Sequence, residues 1–102
     1  MGICVVLETE SGDQLEKVED RRNLLHRILP SYDDSSYQLL RYIDWYGDTC
    51  FNRLQIAPLL RELRQLDDAT LTSEENELIS SIERLARRCL EEPHLYLKFY
   101  GD

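Results

Sequence analysis

With 102 residues, 42% of them hydrophobic, the chain is long enough for one domain around a single core, without disulfides or a metal to hold it together. Its formal net charge is −8, and two acidic ends flank a mildly basic middle. Phosphate binding needs a concentrated basic face, so this distribution argues against a nucleic-acid partner and is compatible with a basic protein partner. The same charge could instead serve only to keep a small protein in solution.

The cysteines and histidines indicate neither a disulfide framework nor a metal site. Cys4, Cys50 and Cys89 are odd in number and form no Cys-x-x-Cys pair, and two of them lie in apolar runs, as reduced, buried thiols would. His26 and His94 lack ligand partners at helical spacing, so zinc is not expected. Neither a secretion signal nor an apolar run long enough to span a membrane occurs. We therefore expect a cytoplasmic protein with no metal and no cofactor.

The first third of the chain predicts a β-hairpin and a short helix. Residues 3–7 form a continuous, β-branched apolar run, which indicates a central strand buried on both faces. Residues 15–18 are more polar and indicate an edge strand, with Gly12 in the turn between the two. Asp20 can cap a short helix that ends at Pro30.

The middle of the chain predicts a loop over residues 31–37, a strand over residues 39–45 and a turn at Tyr46-Gly47-Asp48-Thr49. Residues 40–48 are echoed by residues 94–102, because each copy places an apolar, aromatic run before Tyr-Gly-Asp. The echo predicts two neighbouring strands of one sheet, with Asp44 paired to Lys98 across them.

Two amphipathic helices are predicted after this turn. Pro58 occupies the position of a first helical residue, and Glu62 is expected on the polar side of that helix. Thr72 and Glu75 form a capping box for a longer helix, predicted over residues 73–91, whose apolar residues recur at spacings of three and four. The apolar stripe of the first helix comprises Leu59, Leu60, Leu63 and Leu66. That of the second helix comprises Leu78, Ile82, Leu85 and Cys89.

The last strand is predicted over residues 95–100, where apolar side chains alternate with Tyr and Lys. Strands, then helices, then a final strand predict an α+β fold, with an antiparallel or mixed sheet of three to five strands covered on one face by two helices. If the other face is open, it would carry an aromatic patch of the kind that marks a binding surface. That patch would comprise Tyr42, Tyr96 and Tyr100, with Asp44 and Lys98 among them.

Two sets of residues are candidates for catalysis. Asp44 and Asp48 flank the aromatic turn, and two carboxylates in different environments can divide acid and base roles. His94, before the last strand, is the other candidate. However, turns routinely use Asp to satisfy backbone groups, and the chain has neither a Gly-x-Ser-x-Gly motif nor a glycine-rich phosphate loop. We therefore predict that the chain is not an enzyme.

Side chains that dominate protein interfaces are better represented. Most tyrosines and the single Trp lie in or beside the two echoed segments, with Arg and Asp residues between them. The alternative is that half or more of these aromatic side chains belong to the core. The predicted partner-binding residues are Asp33, Asp34, Asp44, Tyr46, Asp48, Arg53 and Tyr100, of which the two tyrosines are expected to be exposed.

Residues 42–55, which contain Tyr-Gly-Asp-Thr-Cys-Phe-Asn-Arg-Leu-Gln, and the ending over residues 94–102 resemble a group of small bacterial proteins of about this length. This resemblance implies neither an activity nor a site residue. In its size, acidity and α+β pattern, the chain is also similar to immunity proteins, which neutralise toxin domains. We therefore predict a protein-binding module of the immunity type that covers a basic toxin active site. An accessory subunit of a housekeeping complex and a small enzyme are the alternatives.

Overall fold

The computed structural model describes residues 2–66 and 70–101 and shows an α+β fold, in which a four-stranded antiparallel sheet packs against two main helices. The order across the sheet is β2-β1-β4-β3, so β1 is central and β2 is an edge, as predicted, and β3 is the other edge. A short 3-10 helix lies at Leu40–Tyr42. The elements are β1 (Cys4–Thr9), β2 (Gln14–Glu19), α1 (Leu25–Ile28), β3 (Asp48–Phe51), α2 (Arg53–Leu66), α3 (Ser73–Glu91) and β4 (Leu95–Tyr100).

The core lies between the helices and one face of the sheet. Alternation along β1 and β4 buries Val5, Leu7, Leu97 and Phe99 in one cluster with the apolar stripes of α2 and α3. Phe99 also makes an edge-to-face contact with Phe51 of β3, with 5.7 Å between ring centroids. The predicted covering of one sheet face by two amphipathic helices is therefore confirmed.

The capping box of α3 is confirmed, and so are the predicted bounds of this helix. The hydroxyl of Thr72 accepts the backbone N–H of Glu75 at 3.2 Å, and the Glu75 carboxylate accepts the backbone N–H of Thr72 at 2.8 Å. Two of the four free N–H groups at the helix start are satisfied in this way.

Glu75 also ties α1 to the start of α3. Its buried carboxylate accepts hydrogen bonds from the Nε of Arg27 at 2.7 Å and from the Nη2 of the same guanidinium. The Arg27 hydrogen bonds, together with that from the Thr72 backbone, lower the pKa of Glu75 from 4.5 to about 2.

The pKa of Glu75 is about 2 in the folded protein, below its ordinary value of 4.5. The ionised carboxylate therefore stabilises the fold fully above pH 4.5, and this stabilisation is lost progressively as the pH falls from 4.5 towards 2. We expect Glu75→Gln to flatten the dependence of the free energy of unfolding on pH within this range. Urea unfolding at about pH 5 and about pH 3 measures the difference. Glu77→Gln, at an exposed position of the same helix, is the matched control. A Glu75→Gln protein that loses stability with acid as steeply as this control would contradict the prediction.

The prediction that α2 starts at Pro58 is wrong. The side-chain carbonyl of Asn52 accepts the backbone N–H groups of Leu54 and Gln55 at 3.0 and 3.3 Å, and the Gln55 side chain accepts the backbone N–H of Asn52 at 2.9 Å. This reciprocal cap starts the helix at Arg53, so Pro58 lies inside it. Pro58 has no backbone N–H to donate to the carbonyl of Leu54. The apolar residues of α2 before and after Pro58 are nevertheless buried, and their packing keeps the chain helical.

The predicted strand over residues 39–45 is also wrong, and Glu62 supplies the reason. Its carboxylate is buried and accepts the backbone N–H groups of Gln38, Leu39 and Leu40 at distances of 2.8 to 3.1 Å. Three successive N–H groups that converge on one anion favour a helical turn, and here they lead into the 3-10 helix. The prediction that Glu62 faces away from the core is wrong for the same reason.

The segment after the 3-10 helix still packs on the core, because Ile43 is buried and Trp45 is half-buried against the cluster. The strand that follows, β3, begins at Asp48, the residue at which the preceding turn passes into the strand. The prediction that Thr49 lies in the turn is therefore wrong, because Thr49 belongs to β3.

All three cysteines are free thiols. Cys89 is buried as predicted, and burial raises its pKa to about 11, whereas Cys4 is half-buried and Cys50 is exposed. No helix within the described residues is both long enough and apolar enough to cross a membrane.

Candidate functional site

The described parts of the two Tyr-Gly-Asp copies meet at one point of the structure, whereas Asp102, the last residue of the second copy, lies outside the described residues. The backbone N–H of Gly101 donates to the carbonyl of Gly47 at 2.8 Å, which extends the pairing of β3 with β4 by one residue. The first copy is not a strand, so the prediction of two adjacent echo strands is wrong. The described end of the second copy, Tyr100 and Gly101, nevertheless adjoins Gly47 and Asp48 at the end of the first, as predicted. Residues 44–48 of the first copy form a turn that leads into β3, called the 44–48 turn below.

Hydrogen bonds fix the conformation of this turn. A carboxylate oxygen of Asp44 accepts the backbone N–H of Tyr46 at 2.9 Å, and the backbone N–H of Asp44 donates to the hydroxyl of Thr49, also at 2.9 Å. Gly101 packs so closely against the turn that a Cβ at this position would lie 2.4 Å from the carbonyl oxygen of Trp45. The role of Asp44 is thus to hold the turn, which is how turns commonly use Asp.

The 44–48 turn presents an aromatic side chain between two acids. Tyr46 is 85% exposed, as predicted, and Asp44 and Asp48 on either side of it are exposed as well. A large aromatic group that is exposed on a fixed backbone can be buried by a partner at little cost in conformational entropy.

The four aspartates predicted to bind a partner are not paired with cations in the described part of the chain. Within the described residues, every ion pair of the protein takes Glu as its acid, with Arg, Lys or His as the cation. Asp33, Asp34, Asp44 and Asp48 therefore have no described cation within ion-pair distance. Arg41, the one base between them along the chain, stacks its guanidinium on the ring of Tyr42 at 4.6 Å.

The structure separates the predicted binding residues into four places, of which the position of Tyr100 in β4 is described below. Asp33 and Asp34 lie in the loop after α1, where they accept hydrogen bonds from the Ser31 hydroxyl at 2.6 Å and the Ser36 backbone at 3.0 Å. Arg53 lies at the other end of β3 from the turn and donates to the carbonyl of Leu90 at the end of α3. Only the predicted residues Asp44, Tyr46 and Asp48 come together in the 44–48 turn.

The prediction that Tyr100 is exposed is wrong. The phenol of Tyr100 donates to the carboxylate of Glu8. Tyr100 is paired with Cys4 in the sheet, and Glu8 lies four residues further along β1, so the side chain of Tyr100 runs along the sheet face. Lys98 also contacts Glu8, at 3.2 Å, and therefore does not pair with Asp44 as predicted. Burial alone would raise the pKa of Glu8, but the hydrogen bonds from Tyr100 and Lys98 outweigh it and lower this pKa.

The sheet face that the helices leave uncovered therefore carries Tyr96, Lys98 and Tyr100, as predicted for an open face, but the last two are engaged with Glu8. Tyr42 and Asp44 lie outside the sheet, so the predicted five-residue patch does not form.

His94, the alternative catalytic candidate, is exposed and lies 3.3 Å from a carboxylate oxygen of Glu10. It lines an open depression of about 340 Å³ together with Arg53, Leu54 and Tyr96, among others. Within the part of the chain that the structure describes, no group of three or more His, Cys, Asp or Glu side chains is placed to hold a metal ion.

Two residues that shape the site were missed from the sequence. Glu62 anchors the segment that leads into the turn, and its spacing was a signal, because it falls three residues after Leu59 and four before Leu66, within the apolar stripe. Gly101 carries no comparable signal, because its importance arises only from its contact with the turn.

Comparison with protein-family models, with curated proteins and with solved structures finds no match to this chain.

Proposed function

We propose that this chain is a non-enzymatic, cytoplasmic protein-binding module that uses the 44–48 turn to bind a basic surface of a partner protein. The observation that carries the proposal is Tyr46, which is exposed on a fixed turn between Asp44 and Asp48. Tyrosine is among the residues that dominate interface energies, and fixed aromatic anchors lose little entropy on binding.

The unpaired aspartates support a basic partner. Asp33 and Asp34 lie on a separate loop, so in this proposal they act at a distance and accelerate association, whereas the 44–48 turn makes the contact. Long-range attraction of this kind raises the association rate and weakens with salt, because exposed charges are screened beyond about 8 Å at physiological ionic strength.

In its most specific form, the proposal is an immunity-type inhibitor that covers the basic active site of a toxin domain. A net charge of −8 and a small fold with an exposed acidic and aromatic turn are suited to that role. The Asp44 carboxylate already holds the turn and His94 lies beside Glu10 at the surface, which favours binding over catalysis for these residues.

The test is a quantitative capture experiment from cells that naturally make the protein. The wild-type chain is compared with a variant that combines Asp44→Asn, Tyr46→Ala and Asp48→Asn. Asn at position 44 can still accept the Tyr46 N–H, so this variant removes charge and the aromatic group and keeps the turn. A second variant, Asp13→Asn with Tyr32→Ala, changes the same residue types at exposed positions outside the turn.

We expect a basic protein to be enriched on the wild-type and control baits and to fall at least about tenfold on the turn variant. A gene for a larger, toxin-like protein next to the gene for this chain, and restored growth when both are expressed, would support the immunity form. Equal capture by all three baits would contradict the use of the 44–48 turn.

A further inference from the structure

The outer edge of β3 is free to pair with another strand. Among the strands that the structure describes, β3 lies at one edge of the sheet and pairs with β4 alone. Among residues 2–66 and 70–101, no backbone hydrogen bond joins another segment to the outer side of Asp48–Phe51. A free edge of this kind presents backbone N–H and C=O groups that can accept a further strand.

The two edges of the sheet differ in how they are protected. β2 carries Glu16, Lys17 and Glu19, all engaged in ion pairs with neighbouring side chains, and its pairing with β1 is irregular after Leu7. Charged side chains and irregular pairing are the means by which proteins block unwanted strand pairing. β3 has one charged residue, Asp48, and that acid has no described cationic partner, so its edge lacks the protection that β2 has.

Two strongly exposed side chains bracket the free edge. Tyr46 precedes β3 and is 85% exposed, and Leu54 follows β3 and is 88% exposed. A four-residue strand spans roughly 13 Å, so one extended segment laid along β3 is long enough to reach both side chains. Asp44 and Asp48 lie at the same end as Tyr46, which places negative charge beside the path of that segment.

From this arrangement we infer that the partner contributes an extended segment with basic side chains, which adds to the sheet as a fifth strand along the outer edge of β3. The inference rests on the proposed function, because it specifies how the partner is bound at the same site. Backbone hydrogen bonds along β3 would supply affinity, and basic side chains beside Asp44 and Asp48 would supply specificity. A second copy of the chain is disfavoured as the occupant, because it would bring a further net charge of −8 to an acidic edge.

The test uses three synthetic peptides of about ten residues. The first alternates Lys with Val and Thr. The second has the same side chains but is N-methylated throughout its backbone, so it cannot donate hydrogen bonds to β3. The third replaces every Lys with Glu. Binding is measured by NMR chemical shifts and amide hydrogen exchange of the ¹⁵N-labelled protein. The amides of β2, the opposite edge of the sheet, serve as the internal reference, because they should not respond to the peptide.

We expect the Lys peptide to shift the signals of residues 46–54 and to slow amide exchange in β3 and not in β2. The affinity of the wild-type protein for the N-methylated peptide should be at least about tenfold lower than for the Lys peptide. The protein with Asp44→Asn and Asp48→Asn should lose a similar factor in affinity for the Lys peptide. The control Asp13→Asn should bind the Lys peptide as the wild type does. Analytical ultracentrifugation of the protein alone should show a monomer.

Four outcomes would overturn the inference. Equal affinity for the normal and N-methylated Lys peptides, with shifts confined to the 44–48 turn, would reject strand addition and leave the proposed function standing. A dimer in which β3 amides are already protected would assign the edge to a second copy. Failure of the Lys peptide to bind up to millimolar concentration, or equal binding of the Glu peptide, would reject both strand addition and an acidic site for basic segments.

Discussion

Phe99→Ala should destabilise the protein by about 3–5 kcal/mol, because it removes a fully buried aromatic side chain and leaves a cavity. Phe99 is 1% exposed and makes the edge-to-face contact with Phe51, so it joins β3 and β4 to the core beneath the helices. Urea or thermal unfolding followed by circular dichroism measures the loss.

Tyr32→Ala is the matched control for truncation of an aromatic residue. Tyr32 is 77% exposed, and surface substitutions of this kind usually change stability by no more than about 0.5 kcal/mol. If Phe99→Ala unfolded at the same urea concentration as Tyr32→Ala, the assignment of Phe99 to the core would be wrong.

Gly101→Ala should both destabilise the protein, by about 1–3 kcal/mol, and displace the 44–48 turn. The added Cβ would lie 2.4 Å from the carbonyl oxygen of Trp45 and 2.8 Å from that of Asp44. Both are backbone atoms, so the clash cannot be relieved by rotation of a side chain. Trp45 is the only tryptophan, and its fluorescence in the folded protein reports the displacement directly.

Gly12→Ala separates displacement of the turn from general loss of stability. Gly12 has a φ of +95°, and no atom of the described residues lies within 4 Å of the position of a Cβ. Alanine there therefore introduces backbone strain of about 1–2 kcal/mol, far from Trp45 in the chain. We expect this control to lose stability without a change in the Trp45 emission of the folded state. An unchanged emission in Gly101→Ala as well would show that the turn does not depend on close packing at residue 101.

The elements that could be predicted are those in which several local signals agree. α3 has a regular apolar stripe, a capping box at Thr72 and a proline just after its end, and its bounds were predicted correctly. The apolar run of β1 and the clean alternation of β4 likewise indicated strands that the structure contains.

The segment over residues 39–45 could not be predicted in the same way. Its aromatic and β-branched residues favour a strand, but strand propensity depends on context, and the carboxylate of Glu62 holds the preceding backbone in a helical turn. At the start of α2, the cap formed by Asn52 and Gln55 places the first helical residue at Arg53, whereas the prediction relied on the preference of proline for the first turn of a helix.

The tyrosines of the two Tyr-Gly-Asp motifs look alike in sequence but lie in different surroundings. Tyr46 and Tyr100 have the same neighbours, Gly and Asp, and the same predicted exposure. Tyr46 lies on a turn and is exposed, whereas Tyr100 lies in a strand whose face also carries Glu8, 92 residues away in the sequence. Local sequence cannot distinguish the two, because only the strand pairing brings the acceptor for Tyr100 within reach.

The claim that the 44–48 turn binds a protein partner is tested most directly by the dissociation rate of the captured partner from Tyr46→Ala, measured by surface plasmon resonance. Tyr46 is proposed as the anchor, and Asp33 and Asp34 as the charges that accelerate association. The partner should therefore dissociate at least about tenfold faster from Tyr46→Ala, with an association rate within about twofold of wild type. Reversal of charge at Asp33 and Asp34 should instead lower the association rate and weaken its dependence on salt. A partner that leaves Tyr46→Ala at the wild-type rate would contradict the account.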